Sequence, residues 1–442
     1  MARRSRSRTL AVWANALCVG RWRIPATGPM EFTYDAAWIA SEQARPLSLS
    51  LPINLDGLPI RGENVGYFFD NLLPDSEPIR QRIRSRFGTR SADAFDLLAA
   101  IGRDCVGAIQ LLPEDETPTD IFEITTKPMD ELAIERALLG TVSVASGVAR
   151  DDDDDFRISI AGAQEKTALT WHQERWCSPA GATPTTHIFK LPLGLVGGRR
   201  LDMTHSLENE WLCSRLLAAY GLPIAACEVR TFGATKALVV ERFDRVLHPS
   251  RRYWLRLPQE DFCQATGTPS SAKYEAEGGP GLTTLANVLQ ASETRDADLR
   301  TLLQAQLLFW MLAATDGHAK NFSLRLLAQG RFRLTPLYDV ISAWPVAGTG
   351  GQQLHPKKLK LAMSLRGKRK HYHLHEIERR HFNAAAQHCK YNTDMDDLID
   401  AVIAATPGVI EQVGAQLPRG FPAQLFEVIT HGLRSSAEQL AG

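Results

Sequence analysis

Thr315-Asp316-Gly317-His318-Ala319-Lys320-Asn321 is a dense polar, glycine-bearing run that directly follows Leu299 to Ala314, a segment apolar nearly all round. A helix with that pattern is buried on every side, so it reads as the central helix of a helical lobe. Polar residues packed this closely at the end of a core helix have two readings. They form either a helix C-cap with a satisfied Asp or a site that does chemistry.

Asp316 is followed five residues later by Asn321. That is the spacing of a kinase catalytic loop, where the Asp orients and deprotonates an acceptor hydroxyl and the Asn holds magnesium. Asp339 decides between the readings. It follows a short strand, Phe332 to Leu334, and Leu337-Tyr338, where a second metal-ligating carboxylate is expected. Magnesium takes one or two carboxylates plus substrate phosphates, and Asn321 and Asp339 supply that protein share.

Lys190 ends the strand His187 to Lys190 and precedes Pro192, which stops it. An ammonium at that point can meet phosphate oxygens as a compact charge, and Glu210 on the following helix is its candidate partner. Ala161-Gly162-Ala163-Gln164-Glu165-Lys166 lies between two strand patterns, where kinases place a phosphate-covering loop. Only Gly162 is present, so this is no G-x-x-x-x-G-K-[ST] motif. Nor does a G-x-G-x-x-G occur to support a dinucleotide fold.

The chain has 442 residues, with Lys+Arg and Asp+Glu both at 50. A net charge of zero gives no global field toward nucleic acid or an acidic membrane. Its 7 cysteines are scattered without a C-x-x-C pair, which fits a reducing cytoplasm. The longest apolar stretch, Leu307 to Ala314, is far shorter than the ~20 residues of a membrane helix, so a soluble protein is expected. Met1 to Gly20 places a basic run before an apolar one. Asn15 interrupts it and Arg21 and Arg23 follow, which favours a strand pair from Leu10 to Ile24 over an export signal.

These patterns divide the chain into a small α+β unit at 1–116, a helical and acidic connector at 117–155, a sheet-rich lobe at 156–254 and a helical lobe at 255–442. Asp151 to Asp155 repel one another and cannot bury, so they mark a solvated linker. Phe156, Ile158 and Ile160 alternate with Arg157 and Ser159 as a strand does. Pro78 opens a polar helical run with Arg80, Arg82, Arg84 and Arg86, read as a capped surface helix or an anion receptor. The expected fold class is α+β, a two-lobed protein-kinase-like fold with an added N-terminal unit.

The segments 156–166, 185–192, 240–245, 257–264, 270–281, 314–321 and 334–343 resemble HipA, the serine/threonine kinase family of bacterial toxin–antitoxin pairs. Residues 45–52, 68–75 and 101–107 extend the resemblance over nearly the whole chain. It implies Asp316 as catalytic base, with Asn321 and Asp339 as magnesium ligands. Ala161, Gly162, Ala163, Gln164, Glu165, Lys166 and Lys190 would hold the phosphates of ATP, and Glu241, Arg242 and Phe243 would form the hinge beside adenine. His318, Lys320 and Tyr338 would line the nucleotide site, and Ser159 would be the self-phosphorylated serine. Implied partners are a HipB-like helix-turn-helix antitoxin, operator DNA reached mainly through it, and an aminoacyl-tRNA synthetase as substrate. A small-molecule phosphotransferase and an antitoxin-binding co-repressor are the rival classes.

Lys357 to His375 departs from the family pattern. Its seven Lys and Arg residues read as a solvated loop or as contacts to nucleic-acid phosphates. His371, His373 and His375 alternate as in an exposed strand, or as in a metal site that no carboxylate or cysteine completes.

Overall fold

Leu10, Val12, Trp22 and Phe32 stand on neighbouring strands and are all buried, which is what turns the N-terminal segment into a sheet with one packed face. Strands β1 (Arg8–Ala14) and β2 (Leu17–Ile24) form a hairpin whose turn residues, Asn15 and Ala16, both have positive φ. Such turns match the twist of paired strands. The computed structural model describes residues 7–141, 164–198 and 200–442. Ser159, Ala161, Gly162, Ala163, the Asp151–Asp155 run and the strand expected at Phe156–Ile160 lie outside the described residues.

β3 (Glu31–Tyr34), β4 (Ile60–Arg61) and β5 (Ile109–Pro113) complete an antiparallel sheet of order β4-β3-β2-β1-β5. Helices α1 (Ala36–Ile39), α2 (Glu63–Asp70), α3 (Glu77–Phe87) and α4 (Ala94–Ile101) accompany it. Trp22 stacks on Phe69 of α2 with centroids 4.0 Å apart, tying sheet to helix layer.

The second sheet has the order β12-β13-β9-β7-β8-β6. Its strands are β6 (Thr126–Pro128), β7 (Lys166–His172), β8 (Arg175–Pro179), β9 (His187–Lys190), β12 (Cys227–Phe232) and β13 (Thr235–Glu241). A small pair, β10 (Gly194–Val196) and β11 (Leu201–Met203), precedes helix α6 (Ser206–Ala219). Residues 126–140, read from the sequence as connector, contribute the edge strand β6 and helix α5 (Glu131–Gly140) to this sheet. Ile134 and Leu138 of α5 pack with Phe189 and Val239. That apolar contact is what recruits the segment.

The pair β14 (Arg245–Leu247) and β15 (Trp254–Arg256) leads to β16 (Gln259–Asp261) and α7 (Phe262–Thr266). Helices α8 (Leu282–Leu289) and α9 (Arg295–Met311) follow, with α9 buried continuously from Leu302 to Met311. β17 (Ser323–Leu326) then pairs with β16 on one side and with β18 (Phe332–Leu334) on the other, in a sheet of order β16-β17-β18. The basic segment forms the hairpin β19 (Lys360–Arg366) and β20 (Lys370–His373). Helices α10 (Arg379–His388), α11 (Asp396–Gly414) and α12 (Ala423–Ala441) close the lobe. Helix α11 runs through Pro407, because burial of Val409, Ile410 and Val413 offsets the hydrogen bond the ring removes. Among the described residues, no helix is long and apolar enough to cross a membrane.

The N-terminal unit is joined to the rest by a buried charge network. The Asp104 carboxylate meets Arg242 (3.2 Å), Arg245 (3.0 Å) and Arg256 (3.3 Å), and accepts the Thr185 hydroxyl at 2.6 Å. Asp244 pairs with Arg242 at 2.9 Å and accepts the Gly107 amide at 2.8 Å. Burial opposes the charge on Asp104, but the guanidiniums of Arg245, Arg242 and Arg256 outweigh it and hold its carboxyl well below the usual range.

Breaking one member of such a network leaves buried charges uncompensated, at about 3–5 kcal/mol. Asp104→Asn is therefore expected to destabilise the chain by that order, read as a lowered midpoint in chemical denaturation. Because the folded-state pKa is depressed, the Asp104 contribution is full above its unfolded pKa of about 3.9 and is lost as pH falls toward the folded value. In the variant that part of the acid-side loss should disappear.

Candidate active site

The loop after α9 is shaped by its backbone. The chain leaves the helix with Ala313 at φ 48 and crosses Gly317, where a Cβ would lie 2.4 Å from the Phe309 ring. Only glycine fits there. The Asp316 carbonyl accepts the His318 amide at 2.8 Å and the Asn321 side-chain amide at 2.8 Å. This commits Nδ2 of Asn321 and leaves Oδ1 as the side chain's acceptor. Asp316 keeps a side chain 63% exposed, so an incoming hydroxyl can reach it.

Asp339 sits beyond β18 at φ 61, a left-handed conformation that non-glycine residues seldom hold. Its carbonyl is 3.5 Å from Asn321 Nδ2. Its carboxylate accepts Lys190 Nζ at 2.7 Å, and the same ammonium reaches Glu210 on α6 at 2.7 Å. One lysine thus joins the sheet, helix α6 and the segment after β18.

Lys166 on β7 is the register partner of Lys190 on β9. Like charges directly opposite on a sheet repel, and only nearby anions make the pair tolerable. Burial, and then the charge of Lys190, bring the Lys166 pKa down to about 8. Burial also works against the charge on Lys190, but Asp339 and Glu210 outweigh it and keep the ammonium protonated. Burial pushes Glu210 up to about 7 against the pull of Lys190. Asp339 is desolvated too, yet Lys190 and Lys166 hold its carboxyl well below the usual range.

These groups fit a magnesium nucleotide. The carboxylate of Asp339 and the amide oxygen of Asn321 are hard oxygen donors of the kind magnesium takes. Two lysines facing each other at the ends of β7 and β9 would suit a polyanion. Glu210 Oε2 is buried with no hydrogen-bond partner, so the existing contacts leave the cluster's polar atoms unsaturated. Among the described residues, no group of three or more His, Cys, Asp or Glu could hold a metal by itself. His371 stacks on His381 at 4.1 Å.

The other expected site residues fall into place unevenly. Gln164 donates to the Leu191 carbonyl at 2.6 Å, and Glu165 is in contact with Arg82 of α3. Glu241 is exposed and its amide bonds the Ala226 carbonyl at 2.9 Å. Phe243 lies 5.8 Å from the Tyr338 ring, whose hydroxyl contacts Ser323 at 2.6 Å and donates to the Lys320 carbonyl at 2.8 Å. His318 is buried, which lowers its pKa.

Two of the expected residues spend their charged groups inside the protein. Arg242 donates its amide to the Thr186 carbonyl at 2.9 Å. Its guanidinium is consumed by Asp104 and Asp244. Lys320 directs its ammonium to internal partners. It donates to Asn71 Oδ1 (2.8 Å) and the Asn71 carbonyl (3.1 Å), and pairs with Asp75 (3.3 Å) and Asp261 (3.5 Å).

Sequence reasoning gave no role to Asn71, Asp75 or Tyr274. Tyr274 donates its hydroxyl to Asp316 Oδ1 at 2.5 Å. No periodicity marks them, since their partners are remote in the chain.

Residues 158–410 match the HipA-like C-terminal domain, and residues 10–112 match the HipA N-terminal domain. The chain belongs to the HipA family. The Sinorhizobium fredii protein Y4mE, named as a kinase, is 36% identical over 76% of this chain and 77% of its own length. The Shewanella oneidensis serine/threonine-protein kinase toxin HipA is 28% identical over 76% of this chain and 75% of its own length. The solved Shewanella oneidensis HipA, in complex with HipB and operator DNA, superposes with a TM-score of 0.78, covering 98% of this chain and 97% of that one at 24% identity. The fold is that of HipA, and the chain is a protein kinase of this family.

Within this HipA-family kinase, Lys190→Met should weaken MgATP binding by about ten- to a hundredfold, the worth of a hydrogen bond to a charged group. Fluorescent-nucleotide titration reads it, and an unchanged affinity counts against the lysine.

Proposed function

We propose that the chain transfers the γ-phosphate of ATP, with magnesium, to serine or threonine on a protein, as the toxin of a type II toxin–antitoxin module. The observation that carries this reading is Lys190, held at 2.7 Å by both Glu210 and Asp339, beside the Asp316–Asn321 loop. That assembly has the parts list of a kinase: a phosphate-binding lysine fixed by a helix glutamate, two magnesium ligands and a carboxylate base.

In this reading Asp316 accepts the proton of the acceptor hydroxyl at its carboxylate. Asn321 and Asp339 would hold the metal, which supplies charge neutralisation on the phosphates. Lys190 and Lys166 fix the phosphate chain, and Phe243 with Tyr338 offers an aromatic surface near the hinge at Glu241 to Phe243. Gln164, Glu165 and the residues Ala161 to Ala163 belong to the loop proposed to cover the phosphates.

The target class we propose is an aminoacyl-tRNA synthetase, in a cytoplasmic setting. The partner is a HipB-like helix-turn-helix antitoxin, through which operator DNA is reached. The Shewanella complex with HipB and operator DNA supports the partner. Phosphorylation of Ser159 would add close to two negative charges beside the nucleotide phosphates and expel the covering loop, switching the kinase off.

Asp316→Ala should lower transfer from labelled ATP by at least the ~10²–10⁴-fold typical of a general base, while the chain stays folded. A variant with normal transfer overturns the assignment. Ser159→Ala should remove most self-labelling in phosphopeptide mass spectrometry, and label found chiefly elsewhere rules out that switch.

A further inference from the structure

The segment between α7 and α8 forms no long element, yet it is anchored at both ends. Ser270 donates to Asp70 at 2.6 Å, and Lys273 pairs with Asp75 at 2.9 Å, both on the N-terminal unit. On the other side the Glu275 carboxylate accepts the Ser364 amide (2.6 Å) and hydroxyl (3.0 Å) and pairs with Lys370 (2.8 Å), all on the β19–β20 hairpin. A Cβ on Gly279 would lie 1.9 Å from the Ala272 carbonyl oxygen, so the turn between the anchors packs backbone on backbone. Tyr274 stands between Lys273 and Glu275 and is fixed by both neighbours' contacts.

From that strap the Tyr274 hydroxyl reaches Asp316 Oδ1 at 2.5 Å, and its ring meets the His318 ring edge-on at 5.0 Å. His318 Nε2 is 3.9 Å from the same carboxylate oxygen. Both neighbours therefore address Oδ1. Burial and the adjacent carboxylate raise the Tyr274 pKa, so the phenol remains a donor at neutral pH. Beside it lies a hollow of about 420 Å³ whose lining includes Asp75, Ser76, Arg80, Ser270, Lys273 and Tyr274.

We propose that Tyr274 is a positioning residue for phosphoryl transfer, fixing one oxygen of the Asp316 carboxylate so that the other, Oδ2, faces the acceptor hydroxyl. The proposal rests on the reading of Asp316 as the base. As the acceptor oxygen bonds to the γ-phosphorus and the bond to the bridging oxygen breaks, the acceptor proton passes to Oδ2. A carboxylate free to rotate would present that oxygen only part of the time, and a charge-assisted phenol contact restricts the rotation. The strap makes this alignment depend on the N-terminal unit and on the basic hairpin together.

The test measures transfer from [γ-³²P]ATP to the chain itself and to a panel of aminoacyl-tRNA synthetases, using the full-length protein. Tyr274→Phe keeps the ring against His318 and deletes only the hydroxyl. Its kcat should fall roughly ten- to a hundredfold, with KM for MgATP and the melting temperature unchanged. In an Asp316→Asn background the same substitution should have no further effect, since Tyr274 acts through that carboxylate. A kcat that is unchanged or increased overturns the proposal, the increase marking the phenol as a block on the base. A change confined to KM for MgATP, or to melting temperature, overturns it equally. If Asp316→Ala itself retains transfer, the failure lies with the reading of the base. If Asp316→Ala is inactive and Tyr274→Phe is fully active, only the positioning role fails.

Discussion

The ammonium of Lys190 is the constraint on which the catalytic half of the molecule depends. It stands on β9, directly opposite the like charge of Lys166, in a buried setting that disfavours both cations. Glu210 from α6 and Asp339 from beyond β18 make the arrangement tolerable, each at 2.7 Å from Lys190. Two cations and two carboxylates balance, and that balance draws a strand, a helix and a segment of the helical lobe to one point. It also accounts for the left-handed backbone of Asp339 at φ 61, because strain of this kind persists where the surroundings over-determine it. Lys190 on one side and Asn321 on the other leave Asp339 little alternative.

The parts of this arrangement that could be read from the sequence are those with a local signature. Strand character at 167–171, 187–191 and 237–242, and helical spacing at 207–220, 282–289 and 299–314, correspond to β7, β9, β13, α6, α8 and α9. Asp316 and Asn321 are separated by a single turn, and Asp339 follows a short strand, so their convergence follows from chain order. Other features have no such signature. Asp104 meets arginines more than a hundred positions away, and Lys320 finds Asn71 at a separation of 249. Tyr274 lies in a polar, glycine-rich stretch without periodicity, 42 positions from Asp316. Lysines and arginines resembling site residues proved to be consumed by internal carboxylates, which only three-dimensional neighbours can decide. The edge strand β6 is three residues of polar character, too short for an alternation to register.

The N-terminal unit is better described as part of the catalytic apparatus than as an appendage. The Asp104 network alone would only weld it in place, with three guanidiniums, two carboxylates and the carbonyls of Cys105, Gly107 and Ala182 sharing the charge. Beyond this weld, however, Asn71 and Asp75 hold the ammonium of Lys320, which lies inside the catalytic loop between Asp316 and Asn321. Asp70 and Asp75 also anchor the strap that carries Tyr274. One short stretch, residues 70–75, therefore bears on Asp316, the proposed base, from two directions: through the loop that contains it and through the phenol that touches it. Buried charge contacts of this kind are strong only while geometry is kept. A displacement of the N-terminal unit would thus disturb Lys320 and Tyr274 together, and through the contact of Arg82 with Glu165 it would also reach the end of β7 that carries Lys166. The N-terminal unit is in this sense tied to both sides of the site, most closely to the loop that carries Asp316 and Asn321.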